Sequence, residues 1–310
     1  MGVFVFLPLV LPLSAWPVAR LAEHHLHPRA ATWLLSVVAA VLALCSTLCL
    51  GLLMVVGTAQ LPGNPLPDGW SDAEVRAAVP YDGIAGRIAI PALVAVVAAG
   101  TGTALRHRRV RRGAARALAG LPDTSVAVLP DEAAYAYALP GRRDRVVVTT
   151  GLLAGLAPAE RRAVFAHERA HLTGRHHRFL LTVQLAARAN PFLRPLRTAV
   201  AYSTERWADE EAAQAVGDRR TVARAVGKSA LLARVSPAAS LAQFADAGGP
   251  VPRRVAALLG PAPSPRTWPP AFTAVGLAAW TATAGTTVSA LSSANATVTL
   301  FLVLHAATPM

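Results

Sequence analysis

Four stretches of the chain carry no Asp, Glu, Lys or Arg: residues 2–19, 31–57, 88–105 and 267 to the end. Each is long enough to cross a hydrocarbon core about 30 Å thick, at roughly 1.5 Å per helical residue. Backbone polar groups in lipid must be satisfied within the segment, so such runs are helical where they meet lipid. Spans are therefore expected at about 2–19, 31–57 and 84–105, with a fourth and a short tail in 267–310. Between the third and fourth lies 106–266, which holds most of the charge and is long enough for one small domain. Only 15% of the chain is charged, against about 25% in an ordinary soluble domain. A secretory signal would place positive charge before its apolar core, whereas here the first charge, Arg20, follows it. Pro8, Pro12 and Pro17 mark the first run for kinking.

Arginines set the expected orientation. Arg106, Arg108, Arg109, Arg111, Arg112 and Arg116 directly follow the third run, and Arg20 and Arg29 follow the first. The loop after the second run is acidic, with Asp68, Asp72, Glu74 and Asp82 against Arg76. The positive-inside rule then puts the N-terminus outside and 106–266 in the cytoplasm of a multi-pass cell-membrane protein. The arginine cluster suits contact with anionic membrane lipid. Nucleic-acid binding is its rival reading. The cluster lacks interleaved aromatics and abuts a membrane run, so no nucleic-acid partner is expected. Cys45 and Cys49 share a helix face; they read as small buried hydrophobes rather than a metal or redox pair. His24, His25 and His27 have only Glu23 nearby as a further ligand type, and read as incidental loop residues.

The chemistry concentrates in 157–175. Pro158 suits a first helical position, Glu160 suits the positive end of the helix dipole, and Gly174 is a natural stop. His167 and His171 then lie four apart on one helix, facing the same way, so both imidazoles can reach one zinc ion. Glu168 sits beside that ion without ligating it, where it can take a proton from water and pass it to a leaving amine. The rival is a polar helix face with no metal.

Two residues compete as third ligand. His177 fits a longer metzincin-type pattern, which also needs a later methionine beneath the metal. The methionines are Met1, Met54 and Met310, and none can serve. The other candidate is Glu205. Asp209 shares its helix face and can hydrogen-bond the far nitrogen of a ligand histidine, which fixes the imidazole's tautomer and orientation. A solvated acidic face is the bland alternative for both.

Three segments together resemble a known group: Val147-Val148-Thr149-Thr150-Gly151-Leu152, His167-Glu168-Arg169-Ala170-His171 and Glu205-Arg206-Trp207-Ala208-Asp209. They look like the membrane gluzincins, including HtpX-type and CAAX-prenyl-type proteases, and most of all the beta-lactam sensor-transducer or antirepressor metallopeptidases. Ala189-Asn190-Pro191-Phe192-Leu193-Arg194-Pro195-Leu196 resembles the same branch. The resemblance implies Zn2+ held by His167, His171 and Glu205, Glu168 as general base, and Asp209 behind a ligand. It implies a protein or peptide substrate, with a BlaI-like transcriptional repressor as one form of it. It also implies that Arg145, Val146, Val147, Val148 and Thr149 line the cleft. Their β-branched composition independently suits an edge strand that accepts a peptide by strand addition, or one that merely supports the zinc helix. No Ser-x-x-Lys site of an outer penicillin-binding domain follows the last apolar run.

The expected fold is mainly α and integral to the membrane. About four transmembrane helices carry a cytoplasmic α+β, gluzincin-like zinc peptidase domain with a small sheet. Its expected activity is that of a zinc metalloendopeptidase. A non-catalytic, zinc-containing membrane signal transducer is the competing function. Residues 291–307 either continue the last helix or re-enter the membrane, because a polar break at 291–295 precedes a short apolar piece.

Overall fold

The computed structural model describes residues 5–77, 82–117, 124–141, 143–235, 251–264, 268, 270 and 272–308. Residues 2–4 of the first apolar run, and 267, 269, 271, 309 and 310 of the last, lie outside the described residues.

The first run is not a continuous span. It forms α1 (Leu7–Val10), a 3-10 turn (Leu11–Ser14) and α2 (Ala15–His25). Proline explains the break. Pro12 has no N–H to offer the Pro8 carbonyl four residues earlier. That carbonyl instead accepts from Ser46 Oγ at 2.8 Å. Ser46 belongs to α3 (Pro28–Ala59), which His27 caps by accepting from the Arg29 N–H. The broken helix runs antiparallel along α3: Val5 shares a core with Val56, and Ala19 and Ala22 share one with Leu35.

After α4 (Ala73–Ala77) comes α5 (Asp82–Ala117), which carries the arginine cluster on its last turns. A Cβ on Gly57 of α3 would collide with the backbone of Gly86 on α5, and the reverse holds too. Glycine at both positions lets these two backbones touch, as small residues do between membrane helices.

Three short strands follow: β1 (Val126–Leu129), β2 (Ala136–Leu139) and β3 (Arg145–Thr149). Their order is β1-β3-β2, with β1 parallel and β2 antiparallel to β3. The edge-strand reading of Arg145–Thr149 is therefore corrected. Two neighbours occupy both edges of β3, and Val146, Val147, Val148 and Thr149 are buried. A buried central strand suits the same β-branched composition.

The remaining helices are α6 (Thr150–Gly155), α7 (Pro158–Thr173), α8 (His176–Ala189), α9 (Arg194–Val216), α10 (Arg219–Val235), α11 (Val251–Leu259) and α12 (Ala274–Ala306). The last is one helix, so 291–307 does not turn back. Ser293 donates to the Ser289 carbonyl at 2.8 Å and lies 3.7 Å from Cys49 Sγ, so the polar break is absorbed in helix packing. Among the described residues, three helices are long and apolar enough to cross a membrane: Pro28–Ala59, Ile84–Ala117 and Val275–Ala306. Against the expectation of four spans, there are three continuous candidate spans among the described residues, and the first run is a broken companion to them.

The core ignores the boundary between apolar and charged segments. Leu35, Val38 and Ala39 of α3 are buried with Val183 of α8 and Leu196, Ala199 and Val200 of α9. At 32 residues, α3 is about 48 Å long, well beyond a hydrocarbon core of about 30 Å. Its N-terminal part serves as a wall on which α9 rests. Asn190 fastens the junction: its side-chain amide donates to Ser46 Oγ at 3.1 Å, while its oxygen accepts from the Phe192 N–H at 3.0 Å.

Candidate metal centre

α7 begins as its residues dictate. Pro158 occupies the first turn, and Glu160 reaches back to accept from the Ala157 N–H at 2.9 Å. Ala157 has no side-chain acceptor to return the bond, so this is half of a capping box. Glu160 also accepts from Lys228 Nζ of α10 at 2.8 Å. Gly174 ends the helix.

α9 crosses behind α7, with residues 199–210 buried throughout. His167 Nε2 lies 3.4 Å from Glu205 Oε2, His171 Nε2 lies 3.3 Å from Glu205 Oε1, and the two Nε2 atoms lie 3.1 Å apart. Zinc bound tetrahedrally at about 2.0–2.1 Å separates its ligand atoms by roughly 3.3 Å. The two imidazole nitrogens and the Glu205 carboxylate, which meets each nitrogen through a different oxygen, are set at about that spacing, and they form the one such group of three side chains among the described residues. Protonation agrees with this fit. Burial favours neutral His167, but hydrogen bonds to Asp209 and Glu205 outweigh it and raise its pKa to about 10. Burial pushes His171 down to about 4. The pair thus carries one positive charge, which a bound cation would displace. The donor set fits zinc.

Asp209 Oδ1 stands 3.0 Å from His167 Nδ1, one turn beyond Glu205. It is fully buried, yet stays ionised. Burial opposes this, but Arg254 and His167 hold its carboxyl down at about 2. Glu205 follows the same logic: burial opposes its charge, and Arg254, His171 and His167 together keep its pKa well below the carboxylate range. Arg254, from α11, gives Asp209 two hydrogen bonds at 2.8 and 2.6 Å and places Nη1 2.9 Å from Glu205 Oε2.

Glu168 lies on α7 beside this group. Burial pushes its carboxyl up to about 7, against the pull of His167 and Arg254, while the Ala138 backbone N–H hydrogen-bonds it. That N–H belongs to β2, an outer strand of the sheet. The sheet's contribution to the site is thus β2, and Arg145–Thr149 supports it from behind.

The two neighbouring histidines part company. Arg175 adopts a left-handed backbone (φ 50°), and α8 starts afresh at His176. His176 Nδ1 then lies 2.9 Å from His171 Nδ1, on the side away from Glu205. His176 is buried and its ring packs 4.5 Å from that of Trp207. His177 faces Arg111, Arg178 and His107 instead, outside the His167–His171–Glu205 group. The metzincin-type arrangement is absent. His24 bonds the Arg20 carbonyl and His27 caps α3. Cys45 and Cys49 are free and buried.

Two half-buried histidines and a carboxylate converging on one point, with a carboxylic acid next to them, define a metallohydrolase type of site. Residues 102–190 match the sequence model of Peptidase family M48. The matched segment takes in α7 and its His-Glu-x-x-His run but stops short of Glu205, Asp209 and Arg254. It supports a zinc metallopeptidase. No curated protein and no solved structure matches the chain.

Proposed function

We propose that this protein is a membrane-embedded zinc-dependent endopeptidase that cuts peptide bonds in cytoplasmic or membrane-adjacent proteins. The carrying observation is the convergence of His167 Nε2, His171 Nε2 and the Glu205 carboxylate, with Glu168 beside it. When bound, zinc supplies Lewis-acid activation of water and of the scissile carbonyl. His167, His171 and Glu205 would hold it. Asp209 and His176 fix the two imidazoles by their Nδ1 atoms, so that each Nε2 faces Glu205. Glu168, poised near neutrality, accepts a proton from water and delivers it to the leaving amine. The substrate backbone lies along the outer edge of β2, which has N–H and C=O groups to offer an extended peptide. The arginines ending α5 favour a cytoplasmic peptidase portion, with the N-terminus at the opposite end of α3 and outside. The likeness to antirepressor peptidases makes a cytoplasmic transcriptional repressor the first natural substrate to try.

The test uses purified full-length protein in detergent, loaded with zinc, and an unstructured protein such as casein. Wild type is expected to bind one zinc and cleave. Glu168→Gln should retain the metal and lose cleavage by about a hundredfold or more. Zinc binding that survives Glu205→Ala undiminished removes the site; wild-type cleavage by Glu168→Gln removes the base.

A further inference from the structure

A cavity of about 550 Å³ opens where the α7–α8 turn meets α3 and α9. None of His167, Glu168, His171 or Glu205 lines it. Its cationic wall is Arg29, Arg175 and Arg178, and its aromatic wall is Trp33, Phe179 and Trp207. The Arg29 guanidinium sits over the Trp207 ring at 5.4 Å, and Trp33 meets Phe179 edge-on at 4.7 Å. Glu211 is the acid in the lining; its Oε1 accepts from Trp207 Nε1 at 3.1 Å. Three guanidinium groups therefore face one carboxylate that already has a partner. Such a wall suits a phosphate ester, because arginine's planar fork matches phosphate oxygens.

The rest of the ligand is indicated by what leads out of the cavity. Trp33 is half exposed, and along the same face of α3 so are Val37, Leu44 and Leu48. Their spacing of four, seven and four residues keeps them within one stripe. This stripe belongs to a candidate membrane span. From Trp33 to Leu48 it covers about 22 Å at 1.5 Å per residue, more than the roughly 15 Å depth of one leaflet. A free phosphate uses only the arginines, whereas a phospholipid uses both parts. We propose that this cavity binds one anionic phospholipid, its phosphate held by Arg29, Arg175 and Arg178 and its acyl chains laid along Trp33, Val37, Leu44 and Leu48. The site stands independently of the hydrolytic reading. It also touches the candidate metal centre, because Trp207 packs on His176, which bonds His171.

Native mass spectrometry of the detergent-solubilised full chain tests this, with phosphatidylglycerol and phosphatidylcholine titrated separately. One phosphatidylglycerol should bind at least about tenfold more tightly than phosphatidylcholine. Arg29→Gln/Arg178→Gln should lose on the order of tenfold or more of that affinity. Arg178→Gln alone should lose part of it, and serves if the double variant misfolds. Arg162→Gln/Arg220→Gln removes the same charge from exposed positions on α7 and α10 outside the cavity, and should change little. Trp33→Ala should weaken phosphatidylglycerol binding. Equal affinity for the two lipids overturns the proposal, and so does an equal loss in the Arg162→Gln/Arg220→Gln control. Full displacement of phosphatidylglycerol by millimolar inorganic phosphate also overturns it, since the cavity would then be a simple anion site.

Discussion

Arg254 holds Asp209 in a two-pronged grip, Nε to Oδ2 at 2.8 Å and Nη2 to Oδ1 at 2.6 Å, and its remaining nitrogen reaches Glu205. One guanidinium thus answers two carboxylates that would otherwise be buried side by side on α9. Arg254→Ala leaves both to the neighbouring histidines alone, and removing one partner of a buried pair costs about 3–5 kcal/mol. A bound zinc ion itself compensates Glu205. The loss should therefore be larger in chelator-stripped protein than in zinc-loaded protein. Thermal unfolding of both forms measures it, with Arg254→Lys falling between, because it keeps the charge but not the fork. Equal losses with and without zinc would refute the shared-charge account.

The Nδ1 atoms of the two candidate ligand histidines have different partners: carboxylate Asp209 for His167 and imidazole His176 for His171. Asp209→Asn and His176→Phe should each weaken zinc binding by about 10–100-fold, the usual effect of losing an outer partner. Asp209→Asn should be the more damaging, since it also strips Arg254 of one of its two ionic partners. Competition against a zinc-chelating dye gives both constants. Wild-type zinc affinity in His176→Phe would reduce its contact with His171 to packing alone.

The residues legible in the sequence are those whose partners are close in the chain. His167, Glu168 and His171 stand on one helix, and Glu205 and Asp209 on another, so spacing alone aligns each set. That the two sets meet depends on α9 resting on α3, a long-range contact that residue spacing does not display. Arg254 is 45 positions from Asp209 and belongs to no recognisable spacing. His176 and His177 were both visible; the left-handed turn at Arg175 decides which one comes back to the site, and a positive φ at a non-glycine residue has no sequence signal. Pro12 announced a break in the first run, but not that Ser46 would take up the freed carbonyl. For β3, β-branched residues suit edge and centre alike, so composition did not distinguish them.

Gly174 is fixed by what lies against it rather than by its backbone angle. A Cβ there would collide with the His176 ring, whose Nε2 is buried without a hydrogen-bond partner among the described residues. Gly174→Ala must displace that ring and, through it, His171. Overpacking of this kind costs about 1–3 kcal/mol. Zinc affinity should fall together with the melting temperature. Gly217→Ala serves as a contrast: its left-handed backbone (φ 76°) is strained by any Cβ, but no atom lies nearby. That variant should lose stability while keeping its zinc affinity. A Gly174→Ala protein that binds zinc like wild type would show that His176 can move without consequence.

Glu160 ties the start of the zinc helix to α10 and supplies a pH-dependent term that lies away from the metal. Its pKa is lowered, chiefly by the hydrogen bond from Lys228 and, against the cost of burial, by that from Ala157. A carboxylate whose folded pKa is depressed adds stability above its unfolded value, near 4.3, and loses it as the pH falls through the folded value. Lys228 is half exposed, so its ion pair contributes little by itself. Glu160→Gln keeps an oxygen for the Ala157 N–H and should cost about 1 kcal/mol at pH 7, whereas Glu160→Ala, which also loses the cap, should cost about 2 kcal/mol. The gap between wild type and Glu160→Gln should close as the pH is lowered below about 4, because wild-type Glu160 then becomes the neutral acid that glutamine mimics. Melting temperatures in one detergent at pH 7, 5 and 3.5 follow that gap. A gap that stays constant across this range would mean that the charge on Glu160 adds nothing, and that only its hydrogen bond to Ala157 holds the helix start.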